Sequence, residues 1–470
     1  MKSGSVEFVG YAARMTVGIK RRQWLRAVAV GTGLLAAGAR PARAAQQRLV
    51  RDPKGILELP PGFSYRVISR SGERMADGYR VPGHFDAMGV FEADGQLILM
   101  RNHEVAPGEA VAGPFPAGVA APKEAYDRAA FGGVTRLVLD RERIEVKRQE
   151  LALCGTHWNC AGGLSPWGWL TCEEIFIPQH GYVFLAPHNA RGLTQAKPIR
   201  GYGRFRHEAA TVDPQTLIAY LTEDREDAAF YRFVPSSPST PFEGKLQALR
   251  VRDAPGFNTS ALKLGERVAI DWVDVPNPDP SEDDVRLQAR ANGAASFART
   301  EGLWLSGSEL FMCATAGGPI GRGQILRVQH TGPQPELSVV AHSEDAATLD
   351  MPDNITVAPS GELFVAEDGL EGNYLRRVTR DGVVRDFARN VRSTSELSGP
   401  CFTPDGRTMF VNVQHDGLTL AIQGPFDTAA QSGGRSEAPA PFAGFAGLGA
   451  GTVVLALGAL MHRKRQRTSG

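Results

Sequence analysis

The stretch Thr156–Glu174 reads THWNCAGGLSPWGWLTCEE. Its second half is a unit. The turn Ser165-Pro166-Trp167-Gly168 leads into the apolar run Trp169-Leu170-Thr171-Cys172, which ends on Glu173-Glu174. Pro and Gly set turn geometry, and a short apolar run bounded by turn residues reads as a buried strand. The first half adds a histidine, the thiol of Cys160 and a Gly-Gly pair. Ordinary core strands need none of these, and a thiol near carboxylates suggests metal chemistry. The tryptophans are rigid apolar walls, suited to bracing a strand.

The unit recurs. Ala93-Asp94-Gly95 leads into 97–100 and then Asn102-His103-Glu104. Val212-Asp213-Pro214 leads into 217–221 and Glu223-Asp224, and Ser306-Gly307-Ser308 into 310–313 and Ala316-Gly317-Gly318. Residues 358–361 lead into 363–366 and Glu367-Asp368, and residues 403–406 into 409–412 and Gln414-His415. With 53 Gly and 31 Pro and few helical periodicities, the chain reads as all-β. Six unevenly spaced copies, one per four-stranded unit, predict a six-bladed β-propeller. A β-sandwich would leave the recurrence of acids at one phase unexplained. In a propeller those strand ends converge on the central channel.

The ends read as addresses. Lys20-Arg21-Arg22, the charge-free run 27–39 and Ala42-Arg43-Ala44 predict a twin-arginine signal over 1–44, recognised by the translocation machinery. A propeller domain over 45–428 and a linker over 429–437 follow. The uncharged segment 438–461 is long enough to cross a bilayer, for which about 20 apolar residues suffice. The basic tail 462–470 then stays cytoplasmic. The expected location is the periplasmic or extracellular side, with a C-terminal membrane anchor. Residues 1–44 carry +7 and residues 429–470 carry +4, so 45–428 carry −10 against +1 for the whole chain. An acidic exported core argues against nucleic acid as a partner and suits cations. Five cysteines, an odd count, are no disulfide scaffold; a free thiol outside the cytoplasm is buried or bound to metal.

Carboxylates crowded around one axis repel unless cations hold them. Candidates also stand before the repeats: Arg206-His207-Glu208, Arg299-Thr300-Glu301, Met351-Pro352-Asp353-Asn354 and Ser395-Glu396. An arginine two residues from an acid on a strand shares its face, so Arg299 beside Glu301 is suited to clamping a phosphate or carboxylate. No nucleophile elbow, zinc-protease helix or nucleotide loop is present.

Asn159–Glu174 resembles the signature of the PhoX-type alkaline phosphatases. So do RFRHEAA at 204–210, RTEG at 299–302, PDN at 352–354 and the run from Gly399 to His415. The resemblance implies a propeller that hydrolyses phosphate monoesters with an iron and calcium cluster on its axis. It implies Cys160 as a ligand to iron, Glu208 and Glu301 as carboxylate ligands, and Arg299 as the catalytic residue that holds the substrate phosphate. Glu104, Asp353, Asn354, Asp368 and Glu396 are carried over more weakly as metal ligands. Cys401 stands where the family often has an acid. A calcium-dependent hydrolase of another ester class, lactonase-like, fits the ring of acids but not Cys160 with Arg299. A non-catalytic binding module stiffened by calcium is the third reading.

Overall fold

In the computed structural model, which describes residues 48–426 except 117, 370 and 371, five of the six apolar runs lie wholly on strands, and of the run 217–221 the strand holds 219–221. Each falls on the second strand of an antiparallel meander. The chain divides after Ala45, and every described residue lies in the part that begins at Gln46. The first meander is Phe85–Ala93, Gln96–His103, Gly132–Leu139 and Val146–Thr156. The next is the smallest sheet: Asn159–Ser165, Gly168–Glu173 and Val183–Ala186. Pro352–Val357, Leu363–Glu367, Tyr374–Val378 and Val384–Asn390 form another, with Leu57–Glu58 on its outer edge. In the last, Leu397–Phe402, Thr408–Val413 and Leu418–Gln423 pair with Ser64–Arg70 from the other end of the domain, which ties the two ends together.

The ladders form five sheets rather than six separate ones. Arg267–Asp274 pairs with Gly244–Val251 on one side and Glu336–His342 on the other. It therefore joins the meander that starts at His207–Val212 to the one that starts at Thr300–Ser306, in a single nine-stranded sheet. A long outer strand with two open edges pairs on both, because unpaired edge groups otherwise face water or a foreign strand. The β-sandwich alternative does not describe this molecule. The first strands pack in a closed ring: Phe85–Ala93 on Asn159–Ser165, then in turn His207–Val212, Thr300–Ser306, Pro352–Val357, Leu397–Phe402, and back to Phe85–Ala93. A single α-helix, Val285–Ala291, occurs among the described residues. No helix among them is long and apolar enough to cross a membrane. The signal over 1–44 and the segments 429–437, 438–461 and 462–470 lie outside the described residues.

The motif CAGG owes its second glycine to close packing between sheets. A Cβ on Gly163 would lie 2.0 Å from the carbonyl oxygen of Ala210 on the next first strand. Trp169 is fully buried and donates from its indole nitrogen to Asn102 Oδ1 at 2.7 Å. Cys172 is fully buried in an apolar cluster with Leu170, Val183 and Leu221. Both residues brace the sheet. All five cysteines are buried and unbridged.

Gly163→Ala should therefore destabilise the domain. Overpacking costs about 1–3 kcal/mol, and more where the obstacle is backbone. Denaturant unfolding of the variant against wild type measures it; an unchanged midpoint contradicts the packing argument.

Candidate metal centre

Every first strand carries a bulge at the same place. The pairing slips between Phe85 and Met88, Asn159 and Gly162, His207 and Ala210, Thr300 and Leu303, Pro352 and Ile355, and Ser398 and Cys401. A bulge inserts one extra residue and re-aims its side chain. The first bulged residues are Asp86, Cys160, Glu208, Glu301, Asp353 and Gly399. Five of the six positions thus carry a metal-ligating side chain. The sixth is a glycine at φ 58°, whose Cβ would meet Asp86 O at 2.6 Å.

A second ring comes from the residues that follow the second strands. Their peptide N–H groups donate to the residues that lead into the first strands. These bonds run from Glu104 to His84 at 2.8 Å, Glu174 to Trp158 at 3.0 Å and Asp224 to Arg206 at 3.3 Å. The others run from Thr315 to Arg299 at 2.8 Å, Asp368 to Met351 at 3.0 Å and Gln414 to Glu396 at 3.1 Å. Four of the lead-in residues, His84, Trp158, Arg299 and Met351, have φ of 46°, 46°, 54° and 50°. Such backbone costs about 1–3 kcal/mol each and collects at functional sites.

The two rings meet. Ligand atoms gather within 4.8 Å in four trios: Asp86, Glu104 and Cys160; Cys160, Glu174 and Glu208; Glu208, Glu301 and Asp353; and Asp353, Asp368 and Glu396. Each trio shares a residue with the next. Cys160 Sγ lies 3.1 Å from Glu208 Oε1 and 3.7 Å from Asp86 Oδ2. Gln414 Nε2 donates to Asp86 and Glu104, at 2.9 Å each. Burial, and then Asp86 and Glu208, push the Cys160 thiol well above its ordinary pKa. A thiol there ionises when a cation takes the charge. Buried carboxylates around one thiol form a donor set that fits a group of cations: soft sulfur at one place, hard oxygen elsewhere.

The proposed residues separate by place. Cys160, Glu208, Glu301, Glu104, Asp353, Asp368 and Glu396 all belong to the trios. Asn354 stands beside them as a brace: its Nδ2 donates to Asp353 at 2.8 Å and its Oδ1 accepts from Gly399 N at 2.6 Å. Arg299 pairs with Asp224 through Nε at 2.7 Å and Nη2 at 2.9 Å, and its Nη2 also donates to Glu301. Asp224 thus orients Arg299 and is in none of the trios. Cys401, fully buried among Met88, Leu99 and Phe410, faces the core.

Asp86 is the addition, and Glu174 is the member of its strand-end acid pair that reaches the centre. Phe85-Asp86 precedes its repeat by about ten residues, the offset at which Glu208, Glu301 and Asp353 precede theirs, and that offset was the available signal. Glu174 belongs to an acid pair whose members have different roles. Successive strand residues face opposite sides. Glu173 is fully buried away from the trios and accepts from His157 N at 3.0 Å, His180 Nδ1 at 2.7 Å and Gly181 N at 2.9 Å. Glu223 and Glu367 stand in the same register. Glu223 accepts from Tyr231 OH at 2.8 Å, and Glu367 accepts from Asp350 N at 2.7 Å.

The sequence profile of the family described as alkaline phosphatase PhoX matches residues 45–151 and 140–417. Among solved structures, PhoX of Pseudomonas fluorescens, in complex with vanadate as a transition-state analogue, is similar at TM-score 0.58 and 17% identity, over 79% of this chain and 96% of that one. A gluconolactonase of Xanthomonas campestris is similar at TM-score 0.41 and 12% identity, over 80% of this chain and 100% of that one. Likeness at these identities speaks to fold alone. No curated protein matches the chain.

The acid pair predicts a split. Glu173→Gln should lower stability by roughly 1–3 kcal/mol, because buried donors lose a charged acceptor. Glu174→Gln should leave the fold intact and reduce bound metal. Unfolding curves and elemental analysis of both variants decide; equal effects on stability and metal content contradict the division.

Proposed function

Because the chain belongs to the alkaline phosphatase PhoX family, we propose that its axial site hydrolyses phosphate monoesters with iron and calcium bound. The observation that carries this reading is the chain of four trios linked by shared residues, with one thiol among buried carboxylates. Cys160, between Asp86 and Glu208, is the position suited to iron. The all-oxygen trios around Glu301, Asp353 and Asp368 suit calcium. Bound there, the cations supply charge neutralisation for a phosphoryl group.

The protein's own part is orientation and charge. Arg299 is held by two hydrogen bonds to Asp224 beside the trio that contains Glu301. A guanidinium so fixed brings a permanent positive charge beside a phosphoryl group in one orientation, which a flexible lysine does not. Asn354 and Gln414 keep carboxylates of the trios in place through amide hydrogen bonds. Trp169 closes the wall behind Asn102, whose amide donates to the Cys160 carbonyl at 3.0 Å. We infer six blades about this centre, a reading supported by the closed ring of first strands and its six lead-in hydrogen bonds.

We further infer that residues 1–44 direct twin-arginine export and that 438–461 anchor the exported domain. The sequence pattern supports both. Arg21→Lys with Arg22→Lys should hold the protein in the cytoplasm, and deletion of 438–470 should release the exported domain from the membrane fraction. Unchanged fractionation in either case contradicts that half of the reading.

The activity is tested on protein exported by a host with the twin-arginine pathway. Iron and calcium should be found by elemental analysis, and p-nitrophenyl phosphate hydrolysis should vanish on chelation. Cys160→Ala should lose iron and activity. Arg299→Ala should keep its metals and lose about 100- to 1,000-fold in kcat/KM, the usual effect of removing one charge-stabilising donor. A chelated protein that retains its full rate, or one that turns over lactones and no phosphoester, overturns the proposal.

A further inference from the structure

A second cluster of ligating side chains lies off the axis, on the far side of Glu173. Asp127, His157 and His180 place one ligand atom each within 4.8 Å of one another. None belongs to the axial trios. We propose that these three residues bind a divalent zinc ion that staples the small sheet carrying Cys160 and Glu174.

Three observations carry the proposal. First, His157 is 6% exposed, and its Nδ1 is buried with no hydrogen-bond partner. A buried ring nitrogen left so is costly and needs an explanation. The His157 and His180 rings sit 4.7 Å apart between centroids. Second, the tautomer of His180 is set for coordination. Its Nδ1 faces Glu173 Oε1 at 2.7 Å. Metal-binding histidines almost always give their other ring N–H to a carboxylate or carbonyl, which leaves Nε2 as the ligand. Third, Asp127 is preorganised. Its N–H donates to Gly155 O at 2.9 Å and its Oδ1 accepts from Ala129 N at 2.8 Å, so Oδ2 faces His180 Nε2 at 3.4 Å. Two ligands at about 2.0–2.1 Å from a tetrahedral zinc stand about 3.3 Å apart. Two imidazoles and one carboxylate suit zinc, with a fourth position open to solvent.

The location gives the site a purpose. Glu173 touches both this cluster and the strand end that continues into Glu174. His157 stands in the turn that leads to Cys160. The sheet concerned has three strands, fewer than any other, and the chain has no disulfide among its described residues. A zinc ion joining loop 125–130, the turn at 157–158 and the loop at 180 would fix all three to one point.

The test uses the full exported protein, dialysed against zinc and cobalt in turn, with Asp127→Asn and His157→Gln as variants. Wild type should hold one more equivalent of zinc than either variant, with unchanged iron and calcium. Each variant should bind that zinc at least about 10- to 100-fold more weakly, the loss typical of removing even an outer carboxylate. Zinc should raise the Tm of wild type and not that of Asp127→Asn. Cobalt at this site should show no thiolate charge-transfer band, which separates it from the axial cluster with Cys160. Equal zinc content in all three proteins, or a Tm that zinc does not move, overturns the proposal and leaves His180 as a proton-bearing bridge between Glu173 and Asp127.

Discussion

The bulge in each first strand is the constraint on which the centre depends. Regular pairing would alternate these side chains between the sheet faces and point few of them at the axis. One extra residue per strand breaks that alternation at the same place around the ring. The exposed carbonyls do not go unsatisfied. Asn102 donates to Cys160 O at 3.0 Å and Ala161 O at 2.7 Å, Thr222 to Glu301 O at 2.7 Å, Asn412 to Asp86 O at 2.6 Å and Ser398 to Phe85 O at 2.8 Å. Each donor belongs to a different meander from its acceptor. The same hydrogen bonds that hold sheet to sheet therefore hold the ligands in position. A loosened interface would widen the centre directly.

This coupling explains why strain is tolerated at the lead-in residues. Four of them adopt left-handed backbone at a cost of order 1–3 kcal/mol each. Tight packing around the ring over-determines them. Glycine answers the same pressure where a side chain cannot fit, as at Gly163 and Gly399. At Gly399 the consequence is functional. The position that would supply a sixth bulge ligand has no side chain, and Glu396 joins from before the strand instead.

Charge is distributed with equal economy. The acid pairs do two jobs with one motif. The first member is buried among backbone and side-chain donors that hold a loop, and at Glu174 and Asp368 the second turns to the centre. At Glu223-Asp224 the second member orients Arg299 instead. A sequence with a net −10 core can thus place some acids where hydrogen bonds satisfy them and others where they need cations.

Much was legible in the residues themselves. Turn chemistry and short apolar runs marked all six second strands, because those signals are local. The recurrence of acids pointed to one convergent site, and the candidates before the repeats came from the other ring. A lone acid such as Asp86 in HFDAM has no local signature; only the closed ring puts Phe85–Ala93 beside Cys160. Local signals were equally silent about Arg267–Asp274, which bridges two meanders through edges that exist only once both are folded. They also could not tell Glu173 from Glu174, since the face a side chain takes depends on the register of its partner strand. By itself, then, the sequence determined the all-β architecture, the repeat and the chemical types available to the site. Tertiary structure alone decided which acids meet, because that depends on bulges and sheet contacts between residues far apart in the chain.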